Sequence, residues 1–155
     1  AGLPVDRWKE ADHWWRHFYR SQRPILQPEA RTAVQEMYSR YRLGLVSSGS
    51  AWRVRAQLRT FSLDKLFAVS VFGDEVPRRK PHPAQLKIAL QRLGVEPAAA
   101  VYIGDTPEDV AMARHAGVVV VGVLGHSPVA ERLLAARPDF VIPNIAALPQ
   151  LFWRA

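Results

Sequence analysis

Apolar positions along the chain fall into two alternating rhythms. Short apolar runs at Leu43–Ser47, Phe67–Phe72, Ala100–Gly104, Val118–Val123 and Asp139–Ile142 have the length of buried strands. Stretches with helical spacing separate them. Ala30, Val34, Met37 and Tyr41 mark the apolar face of a helix that Pro28 can open at its first turn. A helix over 50–60 carries Trp52, Ala56 and Arg59. Leu86, Ala89, Leu90 and Leu93 line the buried side of a helix opened by Pro83 and Ala84, and Gly94 sits where a left-handed cap would end it. A helix over 107–116 stops at Gly117, and another is expected near 128–136. Val118–Val123 is almost purely β-branched, as in a strand covered on both faces. Strands alternating with helices at least four times predict an α/β fold, with a parallel sheet and helices on both faces.

Residues 6–20 form a further predicted helix with a heavy aromatic load. Trp8, Trp15, Phe18 and Tyr19 fall near one face and read as a core-facing stripe. His13 and His17 are four apart, but no third ligand is in view, so they read as polar helix surface rather than a metal site.

Composition narrows the function classes. A chain of 155 residues, 48% apolar, is one domain with a real core. It has no cysteine, which removes disulfides and thiolate metal sites. No apolar run approaches the roughly 18 residues that span a bilayer. Residues 1–6 lack a signal-peptide pattern, so the expected location is cytoplasmic. The net charge of +7 raises the question of a nucleic-acid partner. Arginines dominate (17 against 4 lysines), yet they are scattered with no block of like charge, and no nucleic-acid partner is expected.

The segment Ala100–Asp109 carries the strongest chemical signal. Its apolar run ends in Gly104-Asp105, and a capped helix begins at once. Asp105 therefore lies at the carboxyl end of a buried strand, where open α/β sheets bind ligands. Asp109 follows one helical turn later, and two acids in one crevice suit a hard divalent cation. Thr106-Pro107-Glu108-Asp109 is also close to a capping box, which offers Asp109 a purely structural role. Ser47, Ser48 and Gly49 end the first strand, where a hydroxyl and backbone N–H groups can grip a phosphate oxygen. Lys80 precedes Pro81 on the loop over 73–83 and can reach into a crevice as a point charge. Arg78 and Arg79 read as solvated, and His82 as loop.

Order and spacing join these pieces. Ser47 ends a strand, Lys80-Pro81 follows some thirty residues on, and Gly104-Asp105 with Asp109 follows about twenty-five beyond that. The set Leu45-Val46-Ser47-Ser48-Gly49, Phe72-Gly73-Asp74-Glu75-Val76, Arg79-Lys80-Pro81-His82-Pro83, Val101–Asp109 and Ala113–Val118 resembles the haloacid dehalogenase superfamily of hydrolases, especially its phosphoglycolate-phosphatase-like members. The resemblance covers roughly residues 25–145 and implies a Rossmann-like fold. It implies a Mg²⁺-dependent phosphatase acting on a small phosphorylated metabolite. Ser47, with Ser48 and Gly49, would bind the phosphoryl group. Lys80 would steady phosphate and nucleophile, Asp105 would bind Mg²⁺ directly or through water, and Asp109 would support the metal from behind. Residues 1–24 would be the remnant of a helical cap domain, and 25–155 the incomplete core.

The chain departs from that pattern at one point. The family's nucleophile is the first aspartate of Asp-x-Asp-Gly-Thr after an N-terminal strand, and no Asp-x-Asp occurs here. The resemblance places the missing strand in the middle of the sheet, between the strands leading to Ser47 and to Asp105. Its loss is expected to leave two edges with unpaired backbone groups and to favour self-association. The chain alone is then expected to be inactive. A non-catalytic binding or assembly relative is the alternative, and a receiver-like domain or nucleotide binder is a third reading. Dehalogenase or phosphonate-cleaving chemistry would need the same absent aspartate.

Overall fold

The structure is a computed structural model and describes residues 7–21, 23–125 and 128–153. Among the described residues the elements run α1 (Trp8–Ser21), α2 (Ala30–Tyr38), β1 (Leu43–Ser47), α3 (Ala51–Thr60), β2 (Phe67–Phe72), α4 (Ala84–Leu93), β3 (Val101–Gly104), α5 (Pro107–Ala116), β4 (Val119–Val123), α6 (Ala130–Ala135), β5 (Phe140–Ile142) and α7 (Leu148–Trp153). The predicted alternation of strands and helices is present. The helix after Pro28 begins two residues later, at Ala30. Gly94 and Gly117 both take the left-handed conformation, at φ 64° and 72°, and close α4 and α5.

Every strand pairing is parallel, but the strands form two hydrogen-bonded sheets, β1-β2 and β3-β4-β5. Leu45 lies opposite Ser70, and Ser47 opposite Phe72. In the second sheet Tyr102 lies opposite Val120, and Gly122 opposite Val141. Among the described residues, β1 and β3 thus share no hydrogen-bonded strand between them.

Side chains hold the two sheets in one body. Leu86 and Leu90 of α4 pack with Tyr102 of β3, Val110 and Met112 of α5, Val120 of β4 and Leu133 of α6. On the opposite face Met37 of α2, Val121, Ile142 and Leu148 of α7 form a second cluster. Both faces of β4 are therefore covered, and Val120 and Val121 are each only 1% exposed. The exception is Val119, 40% exposed at the start of the strand.

Three expectations need correction. Phe18, expected to face the core, is 51% exposed, and its helix neighbour Trp14 is 73% exposed. The side chains of Trp8, Trp15 and Tyr19 lie outside the described residues. Tyr41 falls beyond the end of α2 and is partly exposed, although its ring packs on Phe152 with centroids 5.6 Å apart. The terminal helix α7 has no counterpart in the periodicity reading; it is six residues long, too short to show a repeat. Among the described residues no helix is long and apolar enough to cross a membrane.

Burial predicts where the fold is sensitive. Leu133 is fully buried, whereas its neighbour Leu134 is 48% exposed. Leu133→Ala should cost about 2–5 kcal/mol and Leu134→Ala under about 0.5 kcal/mol in urea unfolding. Equal costs would contradict the assigned face of α6.

Candidate active site

The site is built where the strands end. At the end of β1, Gly49 N–H donates to Ser47 Oγ at 3.1 Å, which folds the Ser47-Ser48-Gly49 turn back on itself. Gly73 N–H donates to Gly49 O at 3.0 Å and ties that turn to the end of β2. The approach requires glycine: a Cβ on Gly73 would lie 2.3 Å from Ser48 O. Ser50 does not cap α3 with its own side chain. Instead Asp74, across the sheet, accepts Ala51 N–H at 2.9 and 3.1 Å. Arg79 is not simply solvated, because its Nε donates to Gly73 O at 3.0 Å. His82 stays within its loop, where Nδ1 accepts Ala84 N–H at 3.2 Å at the start of α4.

Lys80 reaches from this loop across the gap between the sheets. Its Nζ donates to Val46 O on β1 (3.3 Å), to Tyr102 Oη on β3 (2.7 Å) and to Asp109 Oδ1 on α5 (2.8 Å). Its side chain is 13% exposed and that of Asp109 5%, so the ion pair is largely shielded from water. Tyr102 Oη donates to the same Asp109 oxygen at 3.0 Å, closing a triangle. Asp109 Oδ2 accepts Asp105 N–H (3.2 Å), Thr106 N–H (3.1 Å) and Thr106 Oγ1–H (2.8 Å). Thr106 Oγ1 in turn accepts Asp109 N–H, completing the capping box expected at this turn. Gly104 allows the carboxylate in: a Cβ there would lie 2.4 Å from Asp109 Cβ.

The electrostatics follow from these contacts. Burial pushes the Asp109 carboxyl up, but the Lys80 charge and the hydrogen bonds from Lys80, Thr106 and Tyr102 outweigh it and hold it below 3.8. Asp105 moves the other way. Partial desolvation and the Asp109 charge raise its carboxyl above 3.8, against its backbone hydrogen bond and Lys80. Burial, with the Asp109 charge beside it, pushes the Tyr102 phenol far up, so it stays a neutral donor.

The expected residues therefore meet at one end of the sheets. Lys80 bonds the residue before Ser47, and it also bonds the carboxylate that grips the Asp105 backbone. Two participants were not anticipated. Tyr102 is a hydroxyl in an otherwise apolar strand. Gln85 is a polar side chain on the apolar face of α4, fully buried, with Nε2 donating to Ser47 O at 2.8 Å. Gln85 is marked in the sequence by interrupting the apolar face of α4, whereas Tyr102 fits its apolar run and carries no such signal.

A divalent cation fits this arrangement in part. Mg²⁺ is held by one or two carboxylates while it keeps waters and substrate oxygens. Asp105 suits that role. Both oxygens of Asp109 already accept protein donors, so it suits holding Asp105 in place better than direct ligation. Among the described residues no three His, Asp or Glu side chains cluster to hold a metal.

Parallel strands whose carboxyl ends gather a serine turn, a lysine and an acid pair define an α/β protein with an anion-and-cation site. The match to known proteins specifies the class. Residues 7–123 fit the family described as haloacid dehalogenase-like hydrolases, and the chain belongs to that family. It is 30% identical over 138 residues to pyrophosphatase PpaX of Bacillus pumilus (strain SAFR-032), covering 86% of this chain and 64% of that protein. It is 30% identical over 129 residues to phosphoglycolate phosphatase of Pasteurella multocida (strain Pm70), covering 80% of this chain and 56% of that protein. The chain thus spans less than two thirds of these relatives. Its fold superposes with a TM-score of 0.85 on a structure described as a predicted phosphoglycolate phosphatase from Haemophilus somnus 129PT, at 23% identity, covering 97% of this chain and 68% of that one.

The Asp109 contacts predict an acid-sensitive stability. Its lowered carboxyl contributes stability that is present above about pH 4 and is lost as pH falls through its folded value. Asp109→Asn leaves Lys80 without its charge partner and should cost about 3–5 kcal/mol at neutral pH. It should also flatten the fall in urea midpoint between about pH 5 and 2. An unchanged acid slope in the variant would contradict the assignment.

Proposed function

We propose that this chain supplies the phosphate- and metal-facing part of a Mg²⁺-dependent phosphatase acting on a small phosphorylated metabolite, located in the cytoplasm. The observation that carries the reading is Lys80 spanning both sheets at their carboxyl ends, between the Ser47 turn and the Asp105–Asp109 pair. Ser47 Oγ and the Ser48 backbone N–H bind the phosphoryl oxygens, joined by the Gly49 N–H once it gives up its bond to Ser47 Oγ. Lys80 balances their charge. Asp105 holds Mg²⁺, with Asp109 fixing the Asp105 backbone from behind. Mg²⁺, when bound, neutralises charge on the phosphoryl oxygens.

The reaction runs through an aspartyl-phosphate. A carboxylate oxygen bonds to phosphorus as the bond to the substrate's ester oxygen breaks and that oxygen takes a proton. Water then attacks phosphorus, releasing inorganic phosphate and restoring the carboxylate. The nucleophile belongs to a segment outside these 155 residues, and this chain alone is inactive. Residues 1–24 are the remnant of a helical cap that shapes substrate choice, and 25–155 form the core. Neither a nucleic acid nor a membrane is a partner.

A second reading, a non-catalytic binding or assembly protein, is motivated by the lack of an Asp-x-Asp sequence in these 155 residues. The assay that separates the two uses protein expressed from the whole reading frame, with p-nitrophenyl phosphate as substrate. Phosphatase chemistry predicts turnover that chelation abolishes and Mg²⁺ restores, with Lys80→Ala and Asp105→Asn each lowering kcat by about 10²–10³-fold. No turnover across a broad phosphate panel, or turnover indifferent to chelator, would favour the second reading.

A further inference from the structure

Of the two polar side chains buried among the described residues, Asp109 is saturated with donors, whereas Gln85 is not. Gln85 is fully buried on α4, beside Leu86, Ala89 and Leu90, and its Oε1 has no partner among the described residues. A buried amide with an unpaired carbonyl oxygen is costly, and an apolar side chain of the same length would avoid that cost. The amide makes one bond, and it lands on the turn that ends β1: Nε2 donates to Ser47 O at 2.8 Å. On β2 the N–H that follows the Ser47–Phe72 pair, that of Gly73, goes to Gly49 O, and Gln85 holds Ser47 O from α4.

That bond fixes a whole peptide plane. Ser47 C=O and Ser48 N–H belong to one rigid unit, which is trans here, so they point in opposite directions. Successive carbonyls of a strand also alternate in direction. Val46 O faces Lys80, and Ser47 O is turned the other way, into the α4 side. The Ser48 N–H therefore returns to the Lys80 side. Its residue is exposed, so the plane runs from the interior, where Gln85 grips it, to the surface where a phosphoryl group would bind.

We propose that Gln85 is a positioning residue: by holding Ser47 O inside the fold, it aims the Ser48 N–H at a phosphoryl oxygen beside Lys80. Gln85 touches no substrate and acts only through the Ser47–Ser48 peptide. A donor fixed before the anion arrives spends no reorganisation when charge develops, which is what makes such N–H groups effective. Without Gln85 the plane is held only from its exposed side, and the N–H can turn toward solvent. The effect on turnover rests on the phosphatase reading, whereas the aiming of the N–H at a phosphate does not.

The test uses ¹⁵N-labelled protein expressed from the whole reading frame and titrated with inorganic phosphate. In the wild type the Ser48 amide proton should move downfield at saturation, as it bonds to an anionic oxygen. Gln85→Met removes both the donor and the unpaired oxygen with little change in length. Gln85→Asn keeps the amide but shortens its reach. Each should abolish the Ser48 response and weaken phosphate binding by about tenfold, the worth of one hydrogen bond to a charged group. Each should also lower kcat for p-nitrophenyl phosphate by about tenfold or more, at a temperature where the variant is fully folded. A packing role alone would lower the unfolding temperature and leave the Ser48 response intact. A Ser48 amide that ignores phosphate in the wild type, or a wild-type response in either folded variant, would overturn the proposal. A Ser48 response that is lost in the variants of a protein showing no turnover would keep the positioning role and remove the phosphatase reading. Turnover undiminished in the folded variants would do the reverse.

Discussion

The architecture turns on one carboxylate that is never left short of donors. Asp109 sits at the third position of α5, and its two oxygens accept from Lys80, Tyr102, Asp105 and Thr106. A buried charge with so many partners is stable, and the loss of one leaves the others exposed to the full cost of desolvation. Through Lys80 the same carboxylate is connected to β1, so one ion pair spans a division that no backbone ladder crosses.

That constraint decides how the site is assembled. Gly104 lets Asp109 approach, and Gly73 lets the Ser48 backbone approach from the neighbouring strand of the same sheet. Gln85, whose Oε1 has no partner among the described residues, donates through Nε2 and fixes the Ser47 carbonyl. The first shapes the end of β3 and the other two the end of β1, while Lys80 brings the ends of the two sheets to one place. The raised carboxyl of Asp105 and the lowered one of Asp109 follow from this geometry. Two acids four residues apart diverge because partial burial and then the Asp109 charge raise Asp105, while Lys80 and the hydrogen bonds of Lys80, Thr106 and Tyr102 outweigh burial at Asp109.

Much of this was legible in the sequence because it is written locally. Strand runs, helix stripes, Gly94 and Gly117 as stops, and the Thr106–Asp109 cap depend on residues within one turn of each other. Long-range partners were less legible. Asp74 caps α3 from 23 residues away, and Arg79 bonds a carbonyl instead of water, because folding brings those loops together. The Tyr102 hydroxyl was hidden inside an apolar run whose periodicity it obeys. Amphipathic spacing also misjudged Phe18, since a stripe on a helix shows only that a face is apolar, not that anything covers it. Whether Asp109 serves structure or metal was ambiguous in the sequence, because an N3 acid satisfies both patterns. The saturated oxygens weigh toward structure.

The most direct measurement is a double-mutant cycle on Lys80→Met and Asp109→Asn, read as unfolding free energy in urea at neutral pH. If this pair joins the two sheets, the coupling energy should be at least about 1.5 kcal/mol. Effects that add to within about 0.5 kcal/mol would contradict the account.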